Sequence, residues 1–219
     1  EAVKTELEKG DVCAVIVEFI QGVGGLDQAT ANFFEQVDLL CKANNTLFIA
    51  DEVQSGYGRS GKFFAFQYYN VTPDIISIAK GMGNGFPIGG ILIHPNIKAK
   101  FGMLGTTFGG NHLACAAGLA VLNVIEDEFL IDNVKVISEY FIKIAETIPQ
   151  IKQIKGKGLM IGLEFDFEVS ELRKKLIYDH QIFTGGASNK KLLRILPPLN
   201  INKGHINQFF EALVEALDE

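Results

Sequence analysis

The stretch Cys13–Ile20, CAVIVEFI, is almost continuously apolar and rich in β-branched residues, the pattern of a strand covered on both faces. A Gly-rich break, QGVGG, follows it. Residues 29–43, ATANFFEQVDLLCKA, change to helical spacing: Phe33, Val37, Leu40 and Cys41 fall on one stripe, and Asn44 and Asn45 stop it. Leu47–Ala50 reads as a second short buried strand and is followed by the polar segment DEVQSGYGRSG. Ile75–Ala79 is a third, and Ile88–Ile93, closed by Pro95, a fourth. Short buried strands separated by a helix predict an α/β layer with a mostly parallel sheet.

The character changes at Asn111. His112–Ile125, HLACAAGLAVLNVI, predicts a long helix whose small residues allow close packing, with His112 at its N-terminus. Asp132–Ile148 predicts another, with Val134, Ile137, Phe141, Ile144 and Ile148 on one face and Pro149 marking its end. Strands at Ile151–Ile154, Leu159–Phe165 and Leu192–Leu196 and helices at Glu171–Asp179 and Ile206–Leu217 complete a smaller α+β tail. The expected division is a large domain over 1–149 and a small one over 150–219. The chain enters almost directly into a buried strand, and only four strands precede the tail, so it reads as the C-terminal part of something longer.

Composition narrows the chemistry. The 20 basic and 26 acidic groups give a net charge of −6, with no Lys/Arg cluster of the kind a phosphate backbone or anionic membrane needs. No apolar run approaches the roughly 18 residues of a membrane span. Cys13, Cys41 and Cys115 are widely spaced and odd in number, and the 4 His are scattered, which argues for reduced, mostly buried thiols in the cytoplasm and against a disulfide framework or metal site. Three Gly-rich stretches, starting at Gly22, Gly81 and Gly156, each miss the last position of the dinucleotide fingerprint G-x-G-x-x-G, so a nicotinamide enzyme is not expected.

The informative residues stand at strand ends. Asp51-Glu52 follows one predicted strand and Lys80-Gly81 another, and ligands in open α/β sheets sit beyond the carboxyl ends of the strands. Either residue alone reads as a cap or a solvated loop residue. Together they place a carboxylate and an amine at one sheet edge. The amine can form a Schiff base with an aldehyde, and the carboxylate can hold a ring nitrogen protonated, which is the division of labour pyridoxal phosphate needs.

Four segments carry a specific resemblance. Leu47–Gly61 (LFIADEVQSGYGRSG), Pro73–Gly90 (PDIISIAKGMGNGFPIGG), Thr106–Val121 (TTFGGNHLACAAGLAV) and Leu193–Leu199 (LRILPPL) resemble, in order, the cofactor strand, the imine-lysine segment, the S-T-F-G-G-N segment and the carboxylate-arginine segment of class III (ornithine/acetylornithine-type) pyridoxal phosphate-dependent aminotransferases. The resemblance implies a fold-type-I transferase: the later part of the large α/β domain with its mostly parallel sheet, then the C-terminal α+β small domain. It implies that Lys80 bonds the cofactor and then shuttles the proton, and that Asp51 pairs with the pyridinium nitrogen. Glu52 and Val53 join the cofactor site, Val53 against a ring face, and Gln54 bonds the ring hydroxyl oxygen. Thr107 binds the phosphate of the neighbouring subunit's cofactor, Thr106 lies at the substrate edge, and Arg194 clamps a substrate carboxylate. The Thr pair also reads as a turn, Arg194 as a surface salt-bridge partner, Tyr57 and Arg59 as residues ordering the loop after Gln54, and Met82 and Met103 as packing.

Two departures bear on function. The family's upstream region, with its phosphate-cradling turn and ring-stacking aromatic, is absent, so the chain as written is a half-site. The family often reads V-E-P-I-Q-G-E-G-G where this chain has Val17–Gly25, which puts Val23 in place of a glutamate. The implied activity is transfer of the terminal amino group of an N-acylated ornithine (acetyl or succinyl) to 2-oxoglutarate, in arginine biosynthesis, by a cytoplasmic homodimer with shared sites and no metal. Another ω-amino donor (ornithine or 4-aminobutyrate) or a non-catalytic fragment is the alternative.

Overall fold

The computed structural model describes residues 1–218 and divides the chain into two compact units. The first comprises Glu1–Phe19, Ala29–Tyr57 and Lys62–Glu128. It holds helix α1 (Ala2–Leu7), strand β1 (Ala14–Val17), helix α2 (Ala31–Ala43) and strands β2 (Leu47–Asp51), β3 (Ile75–Ile78) and β4 (Gly90–Ile93), followed by helix α3 (His112–Asp127). The strands form one sheet in the order β1-β2-β3-β4. The first three run parallel and β4 is antiparallel to β3.

The short helix α1 was not expected from the pattern. It has six residues and buries only Leu7, so it carries almost no periodic signal. The capping of α2 follows ordinary chemistry: the Thr30 hydroxyl accepts from the Phe33 amide at 3.2 Å, and Asn45 takes a left-handed turn beyond the end. Its buried stripe is Phe34, Val37, Asp38 and Cys41, so Phe34 rather than Phe33 faces inward. Phe34 joins Phe19 (centroids 4.5 Å apart) and Tyr69 (4.6 Å) in an aromatic cluster that also contacts Phe48 through Phe19.

The described residues cover the strands on one face more than on the other. Along β2 burial alternates, with Phe48 and Ala50 buried and Leu47, Ile49 and Asp51 half-buried, because α2 packs over one side. Ile16 of β1 is 60% exposed, and all four residues of β4 are exposed. The cysteines also depart from expectation: Cys41 is buried, whereas Cys13 and Cys115 are exposed, and all three are free.

The second unit comprises Ile20–Gln28, Gly58–Gly61 and Phe129–Glu219. Helix α4 (Leu130–Ala145) therefore groups with the later elements, although the division expected at 149/150 assigns it to the large domain. The remaining elements are strands β5 (Gln153–Lys157) and β6 (Met160–Glu164), helix α5 (Ser170–Tyr178), strand β7 (Leu192–Ile195) and helix α6 (Lys203–Asp218). The sheet order is β5-β6-β7, all antiparallel. Its core is aliphatic with an aromatic centre, Phe141 lying 4.7 Å from Phe210 and 5.6 Å from Phe209. Phe141→Ala is expected to cost this unit about 3–5 kcal/mol, the scale of a buried phenyl deletion, read as a lowered denaturant midpoint. A midpoint within error of wild type would show that α4 does not anchor this core.

The β5–β6 turn is fitted against the short segment Gly58–Gly61. Gly158 has φ +58°, and a Cβ there would lie 2.4 Å from the Ser60 carbonyl carbon, so only glycine allows the approach. The adjacent Leu159 amide donates to the Arg59 carbonyl at 3.0 Å.

Candidate active site

Asp51 ends β2 and Lys80 follows β3 by two residues, both at the carboxyl ends of parallel strands. The register sets Asp51 beside Ser77, three residues before Lys80. Asp51 is half-buried and its Oδ1 accepts two hydrogen bonds, from the Val53 amide at 3.0 Å and from the Ser77 hydroxyl at 3.0 Å. Its Oδ2 has no partner among the described residues.

Lys80 opens a single 3₁₀ turn, Lys80–Gly83, closed by the Met82 amide donating to the Ala79 carbonyl at 3.0 Å. Its φ is +45°, a left-handed conformation that costs a side-chain-bearing residue on the order of 1–3 kcal/mol and persists only where neighbours impose it. Those neighbours are visible. Helix α3 packs on the turn, and a Cβ on Gly118 would stand 3.8 Å from the Met82 carbonyl oxygen. From the other side, a Cβ on Gly81 would meet Tyr57 Cβ at 3.5 Å. The Lys80 amine is exposed and makes no hydrogen bond or ion pair among the described residues.

Successive residues point to opposite sides, and Glu52 shows the consequence. Its side chain turns inward, fully buried, and Oε2 accepts from the Ser55 hydroxyl (2.6 Å) and the Ala65 amide (2.9 Å) while Oε1 accepts from the Phe66 amide (2.8 Å). Burial raises its pKa, and these three donors pull the other way. Glu52 therefore ties down the loop that carries Val53 and Gln54, rather than standing beside Asp51 at the sheet edge. Val53 and Gln54 are half-buried, and the Gln54 amide makes no hydrogen bond among the described residues.

Thr106 and Thr107 lie in an exposed segment, where the Thr106 hydroxyl accepts from the Gly109 amide at 3.2 Å, a turn contact. Met103, expected to pack, is exposed there too. His112 is the first residue of α3, capped by Asn111, whose Oδ1 accepts from the Ala114 amide at 3.0 Å.

Arg194 belongs to the second unit. It sits on β7, and its backbone pairs with Gly185 through bonds of 2.7 and 3.0 Å. Its Nη1 donates to the Gly22 carbonyl at 2.9 Å, and its Nε is buried without a partner. No carboxylate pairs with it among the described residues, so the surface salt bridge is not formed. Segment Ile20–Gln28, which supplies that carbonyl, is pinned by Lys155, whose Nζ lies 2.9 Å from Asp27 and 2.8 Å from Glu164. Arg59 also serves this unit: its Nη1 donates to the carbonyls of Pro197 and, at 3.3 Å, Leu159, and burial lowers its pKa to about 10.

Sequence reasoning missed Ser77. The available signal was a single hydroxyl in the apolar strand IISI, three residues before Lys80.

Among the described residues the Lys80 amine is unpaired and the Asp51 carboxylate has one oxygen free, the two residues standing at the carboxyl ends of neighbouring parallel strands. That fits an aromatic aldehyde carrying a protonated ring nitrogen, with Lys80 and Asp51 as its holders. The Aminotransferase class-III profile matches residues 1–217. The acetylornithine aminotransferase of Caldanaerobacter subterraneus is 42% identical over 216 residues, covering 95% of this chain and 54% of that protein. That of Methanocaldococcus jannaschii is 42% identical over 212 residues, covering 94% and 52%. Among solved structures, Plasmodium yoelii ornithine aminotransferase superposes with a TM-score of 0.90 at 34% identity, covering 99% of this chain and 60% of that one. Acetylornithine aminotransferase from Elizabethkingia anophelis gives 0.85 at 30% identity, covering 100% and 58%. The chain spans about half the length of the curated relatives it matches. Pyridoxal phosphate dependence is a general property of such enzymes. With the profile matched over nearly every residue and the lysine and aspartate at one sheet edge, the chain belongs to the class III aminotransferase family.

Proposed function

We propose that the full-length protein is a pyridoxal phosphate-dependent aminotransferase that moves the terminal amino group of an N-acylated ornithine to 2-oxoglutarate by a ping-pong sequence, in arginine biosynthesis. The observation that carries this reading is the edge formed by Asp51, Ser77 and Lys80. The names of the relatives support the donor. The cofactor supplies an aldehyde for an amine to bond and a cationic ring that withdraws electrons. Lys80 would hold that aldehyde through its amine, with loss of water, and as a free amine it would carry a proton to or from the substrate carbon. The free oxygen of Asp51 would hold the ring nitrogen protonated. Val53 would pack on the ring and Gln54 would bond its hydroxyl oxygen, while Glu52 keeps the loop bearing both in place. Thr107 is assigned to the phosphate of a partner subunit's cofactor and Thr106 to the substrate edge, which makes the working form a homodimer. The proposed compartment is the cytoplasm, supported by three cysteines that remain free thiols. No described helix is long and apolar enough to cross a membrane.

Arg194 is assigned to a substrate carboxylate. Among the described residues its guanidinium meets a neutral carbonyl and no carboxylate. Residue 23, next to that carbonyl, is valine and cannot neutralise it. A donor with its own negative group is therefore favoured, N-succinylornithine over N-acetylornithine over ornithine. Val23→Glu is expected to weaken 2-oxoglutarate by about 1–3 kcal/mol and to narrow the preference for the charged donor, since a competing carboxylate is worth that much as a charged hydrogen-bond partner. Donor competition, expressed as ratios of kcat/KM in wild type and variant, measures both. Equal ratios would reduce Val23 to a packing residue. Failure of all these donors, and of 4-aminobutyrate, to yield glutamate would overturn the function itself.

A further inference from the structure

Ser77 is the one polar residue of β3, flanked by Ile76 and Ile78, and the register places it directly against Asp51. Its backbone is fixed from the same side, the Glu52 amide donating to the Ser77 carbonyl at 3.0 Å. Its hydroxyl donates to Asp51 Oδ1 at 3.0 Å, on the oxygen that also accepts from the Val53 amide. Two donors converging on one carboxylate oxygen set the rotation of the group. One contact comes from the loop behind Asp51 and the other from the neighbouring strand, so the carboxylate plane is defined from two directions. The other oxygen is left with its full accepting capacity.

We infer that Ser77 is a positioning residue that fixes the Asp51 carboxylate so that its free oxygen is presented to a protonated ring nitrogen. This rests on the reading of Asp51 as the partner of that nitrogen. Ser77 itself does not touch the cofactor in this scheme. It lowers the number of carboxylate orientations that must be given up when the ring binds, and preorganisation of this kind appears in affinity.

The test is the dissociation constant of pyridoxal phosphate from the full-length apoenzyme, titrated by absorbance for wild type, Ser77→Ala, Ser77→Thr, Asp51→Ala and the double alanine variant. Ser77→Ala is expected to weaken binding roughly tenfold, the scale of one hydrogen bond to a charged group. The melting temperature of its apoenzyme should be unchanged. Ser77→Thr retains the hydroxyl and should return affinity to within about threefold of wild type, on the same hydrogen-bond scale. In the Asp51→Ala background, Ser77→Ala should add nothing, because Ser77 acts through Asp51. Unchanged affinity in Ser77→Ala beside weakened Asp51→Ala would overturn the role of Ser77 alone. An equal loss from Ser77→Ala in both backgrounds would overturn it as well. Wild-type affinity in Asp51→Ala would remove the reading of Asp51, and Ser77 with it.

Discussion

Lys80→Ala in the full-length protein is expected to lose transamination by at least roughly 10²–10⁴-fold, the range that a positioned acid–base group contributes, since the same amine is also proposed to bond the cofactor. Three features single this lysine out. It stands at the carboxyl end of a parallel strand, beside the strand that Asp51 ends. Among the described residues its amine is exposed and unpaired. Its backbone is held at φ +45° between α3 and the Tyr57 loop, so the attachment point of the side chain is fixed although the side chain is not. Strain of this kind at a reactive position is a common companion of function. Single-turnover and steady-state assays of glutamate formation measure the loss. Turnover within a few-fold of wild type would remove Lys80 from the chemistry.

Asp51→Asn is expected to slow turnover by roughly tenfold to a hundredfold, while cofactor is still bound. The substitution keeps an oxygen for the Val53 and Ser77 donors, so the local geometry survives. What it removes is the negative charge proposed to face the ring nitrogen. A charged hydrogen bond is worth about 1.5–3 kcal/mol, and each 1.36 kcal/mol of barrier is tenfold in rate. The loss should fall on kcat, because the charge matters most when the ring withdraws electrons from the substrate carbon. Undiminished kcat in Asp51→Asn would rule the role out.

The elements that fix the site were legible because they are local. Strand, polar segment and strand are contiguous in Leu47–Gly61 and Pro73–Gly90, and the rule that ligands sit at carboxyl ends of parallel strands turned two isolated residues into a pair. Features that depend on register were not legible. Nothing in the apolar pattern says that Asp51 pairs with Ser77 rather than with a neighbour, so the hydroxyl went unnoticed. Glu52 was grouped with Asp51 by adjacency, yet consecutive residues at a strand end face opposite ways, and its carboxylate became an interior tie for Ala65 and Phe66. The Phe33–Phe34 pair left the helix stripe ambiguous by one position. Asp38 resolves it: the residue is buried beside Cys41, with one carboxylate oxygen held by Lys42 at 2.7 Å, a polar side chain that a hydrophobic stripe does not count.

Borohydride reduction of the cofactor-loaded full-length enzyme, followed by peptide mass mapping, bears most directly on the pairing of Lys80 with Asp51 at one catalytic edge. Reduction makes the bond between amine and cofactor permanent, so the modified peptide reports the attachment site independently of turnover. The expected result is a single reduced pyridoxyl group on Lys80, absent from Lys80→Ala. A stoichiometric adduct on Lys62 or Lys98, with Lys80 unmodified, would contradict it.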